Sequence, residues 1–330
     1  MTIKAKITGV GHFVPSKVLS NKDLEKMVDT NDEWITSRTG IKERRILEDG
    51  KGSSYMGAFA AKRALEVAEM AAEDLELIVT ATVTPDMMFP NTSCLIQEEI
   101  GAKNAWGVDV NGACTGFLYA TAMAAQFIES GRYKKVLVVG ADKMSAITDY
   151  TDRNNCVLFG DAAAAVVLER SEDPDYGIID YLLRSDGSGQ KYLYQLGGGS
   201  LHPATHETVD KKMHYIYQDG RAVFKFAVAG MADITEEIAK KHHISSDEIR
   251  LFIPHQANLR IIDAAAKRIK LSPEKVMINI QKYGNTTAAT IPMGLSEAYQ
   301  DGQLKKGDNI IFAAFGAGFT WGSMLVRWSM

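Results

Sequence analysis

Cysteine is scarce in this chain: Cys94, Cys114 and Cys156 are the only three among 330 residues. An odd, sparse set argues against a disulfide-stapled secreted framework and for a reducing compartment. No apolar run approaches the length needed to span a bilayer, and the N-terminus lacks the basic, long-apolar pattern of a signal segment. The expectation is a cytoplasmic protein without membrane insertion. An excess of positive charge is also missing, since 37 Lys and Arg stand against 41 Asp and Glu, for a formal net charge of −4. That balance excludes the broad basic field of a nucleic-acid binder. Of the seven histidines, His202, His206 and His214 share one stretch, but Pro203 interrupts any helical frame and no cysteine is near. No zinc site is read there.

What is present suits a large globular protein: 46% hydrophobic and 24% charged residues, with length enough for two domains or one fused pair. The most telling stretch is 105–131, AWGVDVNGACTGFLYATAMAAQFIESG. Residues 106–110 read as a strand. Residues 117–128 are almost uniformly apolar and Ala-rich, the pattern of a buried helix. The corner between them, Asn-Gly-Ala-Cys-Thr-Gly, leaves Cys114 at the helix N-terminus, where the macrodipole favours a thiolate. The arrangement resembles the nucleophile elbow of serine hydrolases with sulfur in place of oxygen. The competing reading is a small buried hydrophobe, the usual fate of a free cysteine.

Along the chain, residues 3–14 read as a strand and 21–28 as a helix with Asn21 as its N-cap. Trp34 and Arg38 then lie one helical turn apart, where an indole and a guanidinium could stack on adenine and hold phosphate, or merely decorate a surface helix. Residues 54–70 form an amphipathic helix and 74–84 a buried strand. Asp86 to Pro90 is a turn carrying two Met and Phe89, which either folds onto its own core or lines a pocket or partner interface. A helix over 94–100, a strand over 134–141 and a loop with Arg153 leading to another strand follow. Residues 183–220, rich in Gly, His and Tyr, read as an ordered lid-like excursion, and 220–242 as a long helix. Strands are expected at 247–255, 275–280 and 308–314. These repeat 74–84, the strand before Cys114, and 134–141 in the same order, each roughly 170 residues on, which marks an internal duplication.

Two halves, 1–174 and 175–330, each of alternating strands and helices, imply parallel α/β units layered α/β/α/β/α. Ligand binds where loops from the carboxyl ends of both sets of strands converge. Cys114, His255 in Pro-His-Gln-Ala-Asn, Asn285 in Tyr-Gly-Asn-Thr-Thr and the turn Phe-Gly-Ala-Gly-Phe all fall at such ends.

Together NGACTGF, PHQAN, YGNTT and FGAGFTWG resemble the four signatures of the thiolase-like condensing enzymes, specifically the β-ketoacyl-[acyl-carrier-protein] synthase III family. The likeness covers essentially the whole chain, including DEWITSRTGI and the TDR that holds Arg153. It implies a thiolase-like fold and an acyltransferase that starts fatty acid synthesis. Cys114 would take the acyl group from an acyl-CoA primer, with an oxyanion hole from the backbone of Cys114, Gly316 and Ala317. His255 and Asn285 would stabilise the enolate left when malonyl-acyl carrier protein loses carbon dioxide, and no metal, flavin or nicotinamide is implied. The resemblance further implies Trp34 and Arg153 around the CoA adenine, Arg38 on phosphate, and Gly220, Phe224, Ala257 and Asn258 along the pantetheine tunnel. Arg260, Lys267 and Arg268 would form a cationic stripe for an acidic carrier protein. A homodimer is implied, with Phe89 reaching the partner's acyl pocket. Ala317 departs from the Gly often found at its turn, and 183–220 is longer than in the shortest members. A papain-like hydrolase also orders Cys, His, Asn, but it predicts disulfides and a Trp after the nucleophile, where this chain has Thr115. An ester- or amide-forming acyltransferase and a polyketide starter enzyme share the fold. A non-catalytic relative would be expected to lack Cys114, His255 or Asn285. Primer length and branching are not written in the sequence.

Overall fold

The computed structural model describes residues 3–171 and 173–330. The first half runs β1 (Lys4–Phe13), β2 (Lys17–Ser20), α1 (Asn21–Leu24), α2 (Asp32–Thr39), β3 (Glu43–Ile46), α3 (Ser53–Val67), β4 (Leu77–Ala81), α4 (Thr92–Ile100), β5 (Trp106–Val110), α5 (Gly116–Glu129), β6 (Lys135–Asp142) and β7 (Ala162–Ser171). The second runs β8 (Gly177–Ser185), β9 (Leu193–Gln195), α6 (His206–Asp210), β10 (Ile216–Gln218), α7 (Gly220–Lys241), β11 (Ile249–Pro254), α8 (Leu259–Arg268), α9 (Ile280–Tyr283), α10 (Thr290–Gln300), β12 (Asn309–Gly316) and β13 (Thr320–Arg327).

The duplication is visible strand by strand. One sheet is ordered β1-β7-β6-β4-β5 and the other β8-β13-β12-β11. In the first, β4 is parallel to β6 while β7 is antiparallel to both β6 and β1. In the second, β11 is parallel to β12 while β13 is antiparallel to both β12 and β8. The sheets are therefore mixed, where the alternation of elements had suggested purely parallel units. The physical reason is that β7 and β13 follow their predecessors without a crossover helix, and only an antiparallel neighbour can do so.

Five layers result, as the thiolase-like fold requires. Helix α3 packs on the outer face of the first sheet, with Met56, Ala60 and Ala64 against Ile78, Leu137, Ala165 and Val167. Helices α5 and α10 form the middle layer between the sheets, where Phe117 and Leu295 share one core with Val79 and Phe312. Helices α7 and α8 cover the second sheet through Met231, Ile238 and Ile261. The middle position explains why α5 has almost no polar stripe: it has apolar neighbours on both sides. Each large aliphatic or aromatic side chain buried there contributes about 1.5–3 kcal/mol.

Three local expectations change. The helix at 21–28 is only one turn, and its N-cap is Ser20, closed by a reciprocal box with Asp23. Asn21 is instead buried, donating to Asp32 and the Ile41 carbonyl and accepting from Arg44. Residues 275–280 do not form a strand. Val276 makes a single bridge to Phe252, and the N–H groups of Asn279 and Ile280 donate to the Gln256 side chain instead of to a ladder. Finally, Leu183 belongs to β8, so the excursion starts after Ser185. It is ordered, with the paired strands β9 and β10 and the short helix α6.

Candidate active site

The first corner is built by strand-to-helix geometry. After β5, Asn111 and Gly112 turn the chain, and a 3₁₀ turn over Ala113–Thr115 leads into α5. Ala113 takes φ 46°, a strained value for a residue with a Cβ. The second half holds it in place: Thr115 Oγ1 donates to the Thr320 carbonyl at 3.1 Å, and Thr320 Oγ1 donates to the Gly112 carbonyl at 3.3 Å. Gly316 is required by proximity, because a Cβ there would lie 2.9 Å from the Cys114 nitrogen.

His255 follows the last residue of β11 and is anchored by its N–H to the Ala313 carbonyl at 2.8 Å. Its imidazole is buried, with Nδ1 2.7 Å from Thr290 Oγ1 and Nε2 without a hydrogen-bond partner among the described residues. Burial pushes its pKa down to about 3, so the ring is neutral at physiological pH. Asn285 lies on the turn before α10, fixed by Asn285 N–H to the Leu158 carbonyl and by the Gly160 N–H to its own carbonyl. Its Oδ1 accepts from the Thr287 N–H at 2.9 Å, which orients the amide so that Nδ2 is the free donor. The same side chain acts to lower the Cys114 pKa.

The thiol itself overturns one expectation. Its pKa is pushed up to about 12, first by burial and then by the nearby Asp142 charge. Its own backbone N–H and the Asn285 amide pull the other way and are outweighed. Desolvation beats the helix terminus, and the resting group is a thiol rather than a thiolate.

Two residues escaped the reading of the sequence. Asp142 ends β6 fully buried, and its Oδ1 accepts from Thr82 Oγ1, Val83 N–H and both donors of Thr84. Its Oδ2 accepts from the Ala288 N–H at 3.2 Å. Burial raises its pKa to about 6. A carboxylate closing an otherwise apolar strand was a usable signal. Thr290 gave none, because a threonine opening a helix is ordinary.

Cys114, His255, Asn285, Gly316 and Ala317 line one cavity of about 610 Å³. Gly220, Phe224, Ala257 and Asn258 line the same cavity, together with Leu193 and Ile216 of the β9–β10 pair. Trp34, Arg38 and Arg153 lie outside its lining but are joined to it, since Asn258 Nδ2 donates to the Arg38 carbonyl at 3.0 Å and Asn154, beside Arg153, is a lining residue. The Arg38 and Arg153 guanidiniums sit 5.8 Å and 5.2 Å from the Trp34 ring centre. Arg153 also meets Asp29 at 3.4 Å. Arg260 stacks 4.7 Å over Phe224, and Arg268 pairs with Asp233 at 2.6 Å and Glu236 at 3.6 Å. Lys267 is exposed on the last turn of α8. Phe89 is 85% exposed and Met88 77% on the turn before α4. Among the described residues, no three His, Cys, Asp or Glu side chains gather as a metal-ligand set, and no helix is long and apolar enough to cross a membrane.

Known proteins are similar to this chain in sequence and in fold. Residues 108–187 match the family profile described as 3-oxoacyl-[acyl-carrier-protein (ACP)] synthase III, and 239–328 match that of its C-terminal part. A β-ketoacyl-[acyl-carrier-protein] synthase III from Chlorobium chlorochromatii is 55% identical over 99% of this chain and 100% of its own. The synthase III of Chlorobaculum tepidum is 53% identical over the same shares. The crystal structure of 3-oxoacyl-[acyl-carrier-protein] synthase III from Aquifex aeolicus superposes with a TM-score of 0.90 at 47% identity, covering 98% of this chain and 100% of that one.

Proposed function

The chain belongs to the β-ketoacyl-[acyl-carrier-protein] synthase III family, and we propose that Cys114, His255 and Asn285 carry out its initiating condensation of fatty acid synthesis. The observation that carries this reading is the convergence of a thiol, a neutral imidazole and an oriented amide on one cavity. An acyl-CoA primer enters with its thioester beside Cys114. The sulfur attacks the carbonyl carbon, its proton passes to the departing CoA sulfur, and the tetrahedral oxygen is held by backbone N–H groups of Cys114 and of the Gly316–Ala317 turn. Such preorganised donors are worth about 3–4 kcal/mol each. The carbon–sulfur bond to CoA then breaks, leaving acyl-Cys114 and free CoA. Malonyl-acyl carrier protein follows by the same tunnel. Its carboxyl leaves as carbon dioxide, and the electron pair moves onto an enolate oxygen that accepts hydrogen bonds from His255 Nε2 and Asn285 Nδ2. The enolate carbon attacks the acyl carbon, releasing 3-oxoacyl-acyl carrier protein and returning the sulfur.

For the CoA end, we read Trp34 and Arg153 as the adenine clamp and Arg38 as a phosphate contact. Arg153 sits too close to Trp34 for a ring to fit between them, since two stacked layers need about 7 Å, so it swings outward on binding. Gly220, Phe224, Ala257 and Asn258 hold the pantetheine. Arg260 and Lys267 receive the acidic carrier protein, with Arg268 contributing less because Asp233 and Glu236 already face it. The exposed Phe89 reaches the acyl pocket of a second copy in a homodimer, and the halves divide near residues 174 and 175. The setting is cytoplasmic.

The test is incubation with a panel of acyl-CoAs followed by mass spectrometry of the Cys114 peptide. One or more thioesters should leave an acyl adduct that disappears in Cys114→Ser. No adduct from any of them would sink the mechanism. His255→Ala should retain acyl transfer while losing malonyl decarboxylation, and equal loss of both steps would contradict the roles given.

A further inference from the structure

The enolate step needs His255 to present a proton at Nε2, yet a neutral imidazole carries one proton that either nitrogen can hold. Which nitrogen holds it is decided by the partner of the other. Here that partner is the Thr290 hydroxyl, 2.7 Å from Nδ1 and buried. A hydroxyl can donate to a bare Nδ1 or accept from Nδ1–H. In the second case its own proton must go elsewhere, and the other acceptor beside it among the described residues is the Thr287 carbonyl at 3.1 Å. That carbonyl already accepts the Thr290 backbone N–H. Its second lone pair can also take the hydroxyl proton, at 3.1 Å, but the contact to Nδ1 at 2.7 Å is the shorter of the two and is the one read here as the donated bond.

We infer that Thr290 is a positioning residue that donates its hydroxyl proton to His255 Nδ1 and so fixes the Nε2–H tautomer. Nε2–H is then a buried donor with no partner among the described residues, aimed into the cavity where an oxygen is to arrive. Leaving such a donor unpaired is costly, and the cost is recovered only when an enolate or thioester oxygen accepts from it. The same short segment orients the second donor. Thr287 N–H holds Asn285 Oδ1, while the Thr287 carbonyl receives Thr290 N–H. One turn thus directs both donors at one point. A carbonyl or carboxylate in place of the hydroxyl would draw the proton to Nδ1 and leave Nε2 bare. This assignment rests on the proposed decarboxylative role of His255.

The experiment uses the full-length protein labelled with ¹⁵N-histidine, with His255→Ala identifying the His255 resonances. In the wild type, Nε2 should carry the proton and Nδ1 should resonate as a bare nitrogen. Thr290→Val, which keeps the shape and removes the hydroxyl, should shift His255 toward Nδ1–H or a mixture. It should slow malonyl decarboxylation by roughly 100-fold, the scale of losing one aligned donor, while acylation of Cys114 stays within about threefold. Thr290→Ser should restore both the tautomer and the rate. A wild-type ring protonated at Nδ1 would overturn the proposal, as would a Thr290→Val enzyme that keeps its decarboxylation rate. The wild-type measurement does not depend on any variant folding. If the wild type forms no acyl-Cys114 at all, the functional reading fails; if it acylates and decarboxylates with an Nδ1–H ring, only the tautomer assignment does.

Discussion

The two halves of this protein make the same corner twice and use it for different ends. When the first residues of α5 and α10, Gly116 and Thr290, are set in correspondence, Cys114 falls on Ala288, Asn111 on Asn285 and Ala113 on Thr287. Ala113 and Thr287 share the same left-handed strain, with φ 46° and 53°. The strand registers, Thr80 beside Val139 and Pro254 beside Ala313, place Ala81 opposite His255 in the same scheme. So Cys114 in one copy corresponds to an alanine in the other, and His255 likewise. Even the contact repeats: Thr290 meets His255, and a Cβ on Gly116 would meet Ala81 Cβ at 3.1 Å.

The most instructive difference lies at the ends of β6 and β12, where Asp142 corresponds to Gly316. At the second corner the Asp142 carboxylate accepts the Ala288 N–H. At the first corner the corresponding N–H belongs to Cys114, and Gly316 leaves the space beside it open. The second copy therefore seats a carboxylate on this N–H where the first, with glycine, has no side chain, which is what the proposed oxyanion site at Cys114 requires.

The largest effect should come from closing that space. Gly316→Ala puts a methyl 2.9 Å from the Cys114 nitrogen, so the corner must shift and an incoming oxygen loses its seat. Acyl transfer to Cys114 should fall on the order of 10²–10³-fold, as when one oxyanion donor is removed. Single-turnover acylation with a reactive acyl-CoA measures it, and an unchanged rate would break the correspondence with Asp142.

Next in size is the reactivity of the thiol. With its pKa pushed up to about 12, the thiolate fraction grows with pH throughout the accessible range. Alkylation of Cys114 by iodoacetamide should rise about tenfold per pH unit from about pH 7 to 9 without levelling. A plateau near neutrality would restore the activated thiolate expected from the helix terminus alone.

Much of this was legible in advance, and the limits have physical causes. That Cys114, His255 and Asn285 come together on one cavity could be foreseen because strand-end positions follow from periodicity, and the repeat says which ends meet. The strand expected at 275–280 failed because β-branched residues there look like a ladder, while Gln256, 23 residues before Asn279, takes over the N–H groups that a neighbouring strand would have bonded. Helix-terminus logic favours a thiolate at Cys114 because it is local, whereas desolvation, which pushes the thiol pKa up, depends on how completely the two halves close over the sulfur. Thr290 and Asp142 act through neighbours distant in sequence, so neither residue type nor spacing announced them.

A smaller effect concerns His255→Ala, which writes the Ala81 of the first copy into the second. In the folded protein the imidazole titrates at about 3, against 6.5 when unfolded. The unfolded chain binds that proton first, so the associated stability is complete above pH 6.5 and is lost as pH falls toward 3. His255→Ala lacks this loss. Its melting temperature should therefore decline less steeply than that of the wild type between about pH 6.5 and 4, and parallel curves would show that the imidazole is not held neutral.

The smallest effect is at Gly116. Alanine there gains about 0.5–1 kcal/mol of helix propensity. Against that stands a tight approach of 3.1 Å to Ala81 Cβ, with Ala288 Cβ comfortable at 3.8 Å. The two contributions oppose each other, and Gly116→Ala should change unfolding free energy by less than about 1 kcal/mol in chemical denaturation. The nearest neighbours of the methyl are Ala81 and Ala288 and not Cys114, so acylation of Cys114 should be unaffected. A large loss of acylation with unchanged stability would mean that the first corner is held to its geometry as tightly as Thr290 holds the second.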